Sequence, residues 1–199
     1  MSHVHDALFF MVKNLYEEKK WREILKLNEF SNIPDANRIL WVWPNEEDIR
    51  FIQDFIVRNG LKGVSSIGCG NGLLEWILQQ ATGLAVEGIE INEEWWKSRY
   101  AYPPFIDLKF PNFPLENPLN KDHALLFCYF NNGPAFTDYV KNYTGNGIII
   151  IGPSYGNGKH TEPPPFNVKF PSLNWKLECY KEIKQTKDFI AFYIRSGEL

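Results

Sequence analysis

The chain has 199 residues, which suits one domain, or one domain with a small appendage. It is 44% hydrophobic and 23% charged, a globular composition that excludes a disordered chain. Its net charge of -3 lacks the basic footprint of a protein that works on phosphate backbones, so a nucleic-acid substrate is disfavoured.

Residues 4–27 carry Leu8, Met11, Val12, Leu15 and Tyr16 at three- and four-residue spacing, the period of an amphipathic helix, with Glu17 to Lys20 as a solvated face. Two short helices are predicted there, the second around 21–27. Their composition differs from that of the remaining chain, so 1–37 is set apart as an N-terminal helical extension of a body at 38–199. Residues 31–44 read as a loop punctuated by Pro34 and Pro44. Asn45 is then a good N-cap, and Glu46, Glu47 and Asp48 favour the positive end of a helix. Ile49, Ile52, Phe55 and Ile56 form its apolar stripe, and Asn59-Gly60 closes it.

From residue 64 strand and helix signals alternate. Strands are predicted at 64–67, 84–91, 105–110, 124–130 and 147–151, and helices at 73–80, 92–98 and 134–143, the last opened by Pro134. Near-continuous apolar strands alternating with helices mean a parallel sheet covered on both faces. The end of the chain breaks the rhythm. Residues 177–183 and 189–194 are two strand-like runs separated by Lys-Gln-Thr-Lys-Asp, a hairpin. The fold class is therefore α/β, with a mostly parallel sheet ending in an antiparallel pair and helices at the N-terminus.

Cys69, Cys128 and Cys179 show no metal spacing, and a disulfide framework is not expected. His3, His5, His123 and His160 form no ligand pattern, so no metal is expected either. The start of the sequence has no signal-peptide layout, and no apolar run reaches the roughly 18 residues that cross a membrane. The expectation is a soluble, cytoplasmic protein. Aromatic residues make up 16%, with seven Trp, which suggests an aromatic core or a stacking pocket.

The stretch SSIGCGNGLLEWIL, residues 65–78, places Gly68, Gly70 and Gly72 at alternate positions between a strand and a helix. Such a turn lies at the carboxyl end of the strand, where doubly wound sheets bind ligands, and the helix start adds unpaired N–H groups. A dinucleotide turn wants Gly-x-Gly-x-x-Gly, but Leu73 stands where its third glycine would be. No phosphate-loop Lys-Ser/Thr pair is present after the turn. The next strand ends Val-Glu-Gly-Ile-Glu-Ile-Asn, with Glu90 at its tip, 22 residues after Gly68. A carboxylate there can accept both hydroxyls of a ribose, a device shared by nicotinamide and S-adenosylmethionine proteins. The plain alternative is a surface acid at a strand end.

This turn and Glu90, with the terminal hairpin, resemble the class I S-adenosylmethionine-dependent methyltransferases, a Rossmann-like fold with a seven-stranded sheet and an inserted hairpin strand. The order RILWVWPNEED (38–48), the glycine turn, VEGIE, YPPF (102–105), ALLFCYFNNGPAF, YTGNGIIIIGP and the C-terminal strand pair is similar to one uncharacterised methyltransferase-like family, from residue 38 to the end. The resemblance implies S-adenosylmethionine as cofactor. It implies that Gly68, Cys69, Gly70 and Gly72, with Asn71 in the same turn, approach the methionine part. Glu90 would hold the ribose, Ile91 would flank the adenine, and Trp41, Pro44 and Asn45 would lie over the methyl-bearing side. An N-cap with a packed aromatic explains Trp41 and Asn45 equally well. Trp95 or Trp96 either packs near the cofactor or belongs to the core.

In that fold the turn after the fourth strand faces the transferable methyl. Related amino-methylating enzymes carry Asn/Asp-Pro-Pro-aromatic there, whereas this chain has Phe130-Asn131-Asn132-Gly133-Pro134. Asn131 and Asn132 are the candidate catalytic residues, although Asn-Gly is also an ordinary turn. Candidate bases are Glu46, Asp107, His123 and His160, and residues 153–166 form a long flexible loop on the acceptor side. The leading reading is methyl transfer to nitrogen or oxygen of a small molecule or a protein. The alternative is a non-catalytic, methyltransferase-like binding module acting through protein partners, with the N-terminal helices as a docking feature. A nicotinamide oxidoreductase is the outsider.

Overall fold

The computed structural model describes residues 3–27, 36–112, 115, 117–154, 156 and 158–196. Pro34 therefore lies outside the described residues. Seven strands form one sheet: β1 Gly63–Ile67, β2 Ala85–Ile89, β3 Leu108–Lys109, β4 His123–Cys128, β5 Gly147–Pro153, β6 Trp175–Ile183 and β7 Asp188–Arg195. Their order is β3-β2-β1-β4-β5-β7-β6. All neighbours from β3 to β5 pair in parallel, and β7 runs antiparallel to both β5 and β6. This is the mostly parallel seven-stranded sheet with an antiparallel end that the sequence pattern predicts. The chain direction puts the ends of β1, β2 and β4 on one edge, where the site is built.

The helices obey the hydrophobic pattern. They are α1 His3–Glu17, α2 Trp21–Leu25, α3 Glu46–Arg58, α4 Leu73–Thr82, α5 Glu93–Trp96 and α6 Gly133–Lys141. Strand side chains alternate between faces, so one face of the sheet shows Ala124, Leu126, Ile149, Ile151, Ile190 and Phe192 to α3 and α4. The opposite face shows Leu125, Phe127, Ile148, Ile150, Ala191 and Tyr193 to Phe136, Tyr139 and Val140 of α6.

The N-terminal helices share the first of these cores. Leu8, Phe9, Val12, Ile24 and Leu25 are buried in it. Tyr16 packs on Trp76 of α4 with ring centroids 4.8 Å apart, and Phe9 stacks on Tyr102 at 4.4 Å. The predicted stripe of α1 is turned slightly, with Phe9 inside and Met11 43% exposed.

Two regions depart from the sequence expectation. The run at 105–110 contributes only Leu108 and Lys109 to the sheet, because the Phe105 N–H donates to the Asn71 carbonyl and the ring enters the core. At Glu162 the loop at 153–166 is pinned to the turn after β4. Glu162 forms a bridge with Asn131, its N–H donating to the Phe130 carbonyl at 2.9 Å and its carbonyl accepting from Asn132 N–H at 3.2 Å.

Candidate functional site

The glycine turn joins β1 to α4. Gly68, Gly70 and Gly72 have φ of +68°, +66° and +76°, a region that side chains with a β-carbon rarely adopt. A β-carbon on Gly68 would meet the Phe130 ring at 2.9 Å, and one on Gly72 would meet Ile106 at 2.4 Å. Beside Gly70 there is nothing within 4 Å. The alternating glycines therefore serve both purposes: a hard bend closed by packing at either end, and open space at its centre.

That space opens on a cleft of about 280 Å³ between the turn and residues 37–41, with Leu74, Glu75, Glu90, Trp96 and Cys128 completing its wall. Gly68, Cys69, Gly70, Asn71 and Trp41 also line it. Glu90, at the tip of β2, accepts from the Gly70 N–H at 2.7 Å and from the Trp96 indole. Burial raises its pKa, and these two donors oppose that shift. The Ile91 backbone N–H is a third donor to Glu90; a carboxylate offers about four acceptor positions, so the three donors leave about one for a ligand hydroxyl.

Asn71 is a fastener. Its side-chain amide donates to the Ile39 carbonyl at 2.8 Å and its oxygen accepts from Leu73 N–H at 3.0 Å, tying the turn to the opposite wall. The Cys69 and Cys128 thiols are both pushed up by burial and stay protonated. Trp95 is exposed, whereas Trp96 joins the cleft and not the core. Ile91 is 62% exposed and does not line the cleft. Asn45 does not line it either. Its side chain accepts from Asp48 N–H at 3.0 Å while Asp48 accepts from Asn45 N–H, a complete capping box that starts α3.

Of the two asparagines after β4, Asn132 caps α6 by accepting from Ala135 N–H at 3.0 Å. Asn131 is exposed, held by backbone pairing to Glu162. Neither lines the cleft. None of the four candidate bases does either. Glu46 pairs with Arg22, Asp107 and His123 line a separate cavity, and His160 is exposed.

Two functional candidates carry no motif in the sequence. Tyr129, the first residue after β4, has φ +51°, a strained value of the kind concentrated at functional sites. Its ring stacks on Trp41 at 5.2 Å, and its hydroxyl donates to the fully buried Asp188 at 2.6 Å. Lys159 lies 5.4 Å above the same ring. Burial raises the Asp188 pKa, with the Tyr129 hydrogen bond opposing. The second is Glu75 on α4, only 1% exposed, whose Oε1 accepts from the Ser66 hydroxyl at 2.6 Å. Burial pushes its pKa up to about 7. Glu75 escapes a sequence reading because an acid in the first turn of a helix reads as a dipole partner.

Among the described residues no group of three His, Cys, Asp or Glu could hold a metal ion, and no helix is long and apolar enough to cross a membrane. No protein-family model matches the sequence, and no curated protein matches it. Solved structures do match. Magnesium protoporphyrin IX methyltransferase from Synechocystis PCC 6803 with bound SAM is 12% identical, with 85% of this chain and 95% of that chain covered and a TM-score of 0.49. Human N-acetylserotonin methyltransferase in complex with SAM is 15% identical, covering 77% of this chain and 56% of that chain at a TM-score of 0.48. The putative methyltransferase yhhF from Escherichia coli is 11% identical, covering 83% and 91% at 0.48. At these identities the matches assign no role to any residue of this chain.

Proposed function

We propose that this chain binds S-adenosylmethionine in the cleft between the glycine turn and residues 37–41, and transfers its methyl group to a nitrogen or oxygen of a small molecule or protein. The observation that carries this reading is the open turn paired with a strand-tip acid: free space beside Gly70, and Glu90 held against the Gly70 N–H. The same edge of a sheet with an antiparallel end is where this fold places its ligand.

The bound donor would supply a methyl already activated on a sulfonium. The protein's work is then alignment and exclusion of water, which needs no general base. Gly68, Cys69, Gly70 and the Asn71 backbone would cradle the methionine part. Glu90 would accept from the ribose at its remaining acceptor position, with Trp96 near the adenine. Trp41 stacked on Tyr129 would wall the acceptor side, and the Asn131 amide would orient the acceptor.

The test is thermal stability with S-adenosylmethionine, S-adenosylhomocysteine and NAD. A ligand at 100 times its dissociation constant stabilises by about 2.7 kcal/mol. The expected result is a shift with both adenosyl compounds and none with NAD; a shift with NAD alone would reverse the assignment. Labelled methyl donor in cell extract then reports the acceptor.

A binding module without catalysis is the second reading, favoured by one observation. The turn after β4 is closed, with Asn132 used as a cap and Glu162 paired alongside Asn131. Tight adenosyl binding with no labelled product would support it, and the N-terminal helices would then be the place to seek a protein partner.

A further inference from the structure

Glu75 sits in the first turn of α4, just after the glycine turn, and lines the same cleft as Gly68, Gly70 and Cys128. Its Oε1 is held by the Ser66 hydroxyl of β1 at 2.6 Å. Its Oε2 is buried and has no hydrogen-bond partner. A buried carboxyl oxygen left in this way is costly, and it calls for a proton or a cation.

The neighbouring groups leave that call unanswered. Glu90 at the end of β2 is another acid, whose charge adds to the repulsion. Cys69 in the turn and Cys128 at the end of β4 are thiols held protonated by burial. Ser66 is a neutral donor already engaged. Arg38, from the opposite wall, is the cation among the cleft's lining residues, and Glu75 Oε2 accepts no hydrogen bond from it.

We infer that Glu75 is the ammonium subsite of the cleft, its Oε2 receiving the charged amino group of an amino-acid-bearing ligand. The inference rests on the cofactor reading above and names the part of that molecule Glu75 takes, its α-ammonium. Without ligand the carboxyl carries a proton at pH below about 7, because burial dominates and Glu90 adds to it against the Ser66 hydrogen bond. Binding then exchanges one proton for one ammonium. The carboxyl O–H breaks, the proton leaves to solvent, and the ligand N–H donates to the freed oxygen. Ser66 keeps Oε1 fixed, so Oε2 stays aimed at the incoming group.

The experiment compares S-adenosylhomocysteine, which carries the ammonium, with methylthioadenosine, which has the same adenosine and thioether but no amino-acid part. Both are titrated by calorimetry at pH 6 and pH 8, in buffers of different ionisation enthalpy. For the wild-type chain, S-adenosylhomocysteine is expected to bind on the order of tenfold more weakly at pH 6, releasing about one proton there, while methylthioadenosine is unaffected by pH. Glu75→Gln is expected to weaken S-adenosylhomocysteine at pH 8 by about tenfold or more, abolish proton release and leave methylthioadenosine unchanged. The wild-type pH series is informative whether or not the variant folds, and a melting curve checks the variant. A flat pH series without proton release overturns the inference, as does equal weakening of both ligands. If neither ligand binds the wild type, the cofactor reading and the subsite fall together. If both bind and Glu75→Gln does not distinguish them, the subsite alone falls.

Discussion

At the scale of single residues, two glycines of the turn differ in what surrounds them. Gly72→Ala would place a carbon 2.4 Å from Ile106 at φ +76°, whereas Gly70→Ala meets nothing within 4 Å. Left-handed backbone alone costs about 1–2 kcal/mol for a residue with a β-carbon. Gly70→Ala is therefore expected to fold with roughly that loss and to bind the adenosyl ligand more weakly. Gly72→Ala is expected to lose clearly more stability. Melting curves and titration check the pair; equal stability would contradict the packing at Ile106. Glu75 gives a second expectation. A carboxyl whose folded pKa is raised contributes stability fully present below its unfolded value, near 4.5, and lost as pH rises through about 7. Glu75→Gln removes that loss. Its advantage over the wild type should be near zero at pH 4.5, grow to at most roughly 3 kcal/mol by pH 7 and stay level above. Denaturant melts across that range measure it, and an advantage that shrinks with pH would contradict the burial of an unpartnered Oε2.

At the scale of elements, two asparagines read as site residues are helix starts. Asn45→Ala should cost about 1 kcal/mol through the lost capping box and leave adenosyl binding unchanged, as thermal melts with and without ligand would report. A loss of binding at unchanged stability would return Asn45 to the cofactor. The sequence shows why such roles blur, since the amide that caps a helix is also the amide that binds a ligand. Helix and strand positions were legible because α3, β4 and β5 repeat their apolar residues at the periods that the two faces of one sheet demand. The left-handed turn was legible because three alternate glycines have few other uses. Glu75 and Tyr129 were not, and for Trp96 the sequence left cofactor and core both open. The roles of the first two depend on partners in other elements: Ser66 of β1 for Glu75 and, 59 residues on, Asp188 for Tyr129. The short β3 was hidden for a similar reason, because Phe105 is drawn to Asn71 and not to the neighbouring strand.

At the scale of the whole molecule, α1 and α2 complete the core on the α3–α4 face, and removing them would uncover Trp76 as well as shed five buried apolar side chains, Leu8, Phe9, Val12, Ile24 and Leu25. A chain lacking 1–27 is expected to melt far lower or not to fold, as circular dichroism would show. The far side of the sheet holds a polar group of its own. Burial lowers the His123 pKa despite the attraction of Glu87, so its stability contribution is present above about 6.5 and lost as pH falls below it. This loss opposes the Glu75 gain over the same acid range, and His123→Asn should deepen the rise in stability toward low pH. The proposed function puts one ligand in one cleft. Calorimetric titration with S-adenosylhomocysteine, on wild type and Glu90→Ala, tests that most directly. The expected result is one site per chain, lost in Glu90→Ala while its melting temperature holds. No binding to the wild type, or unchanged binding to Glu90→Ala, would contradict it.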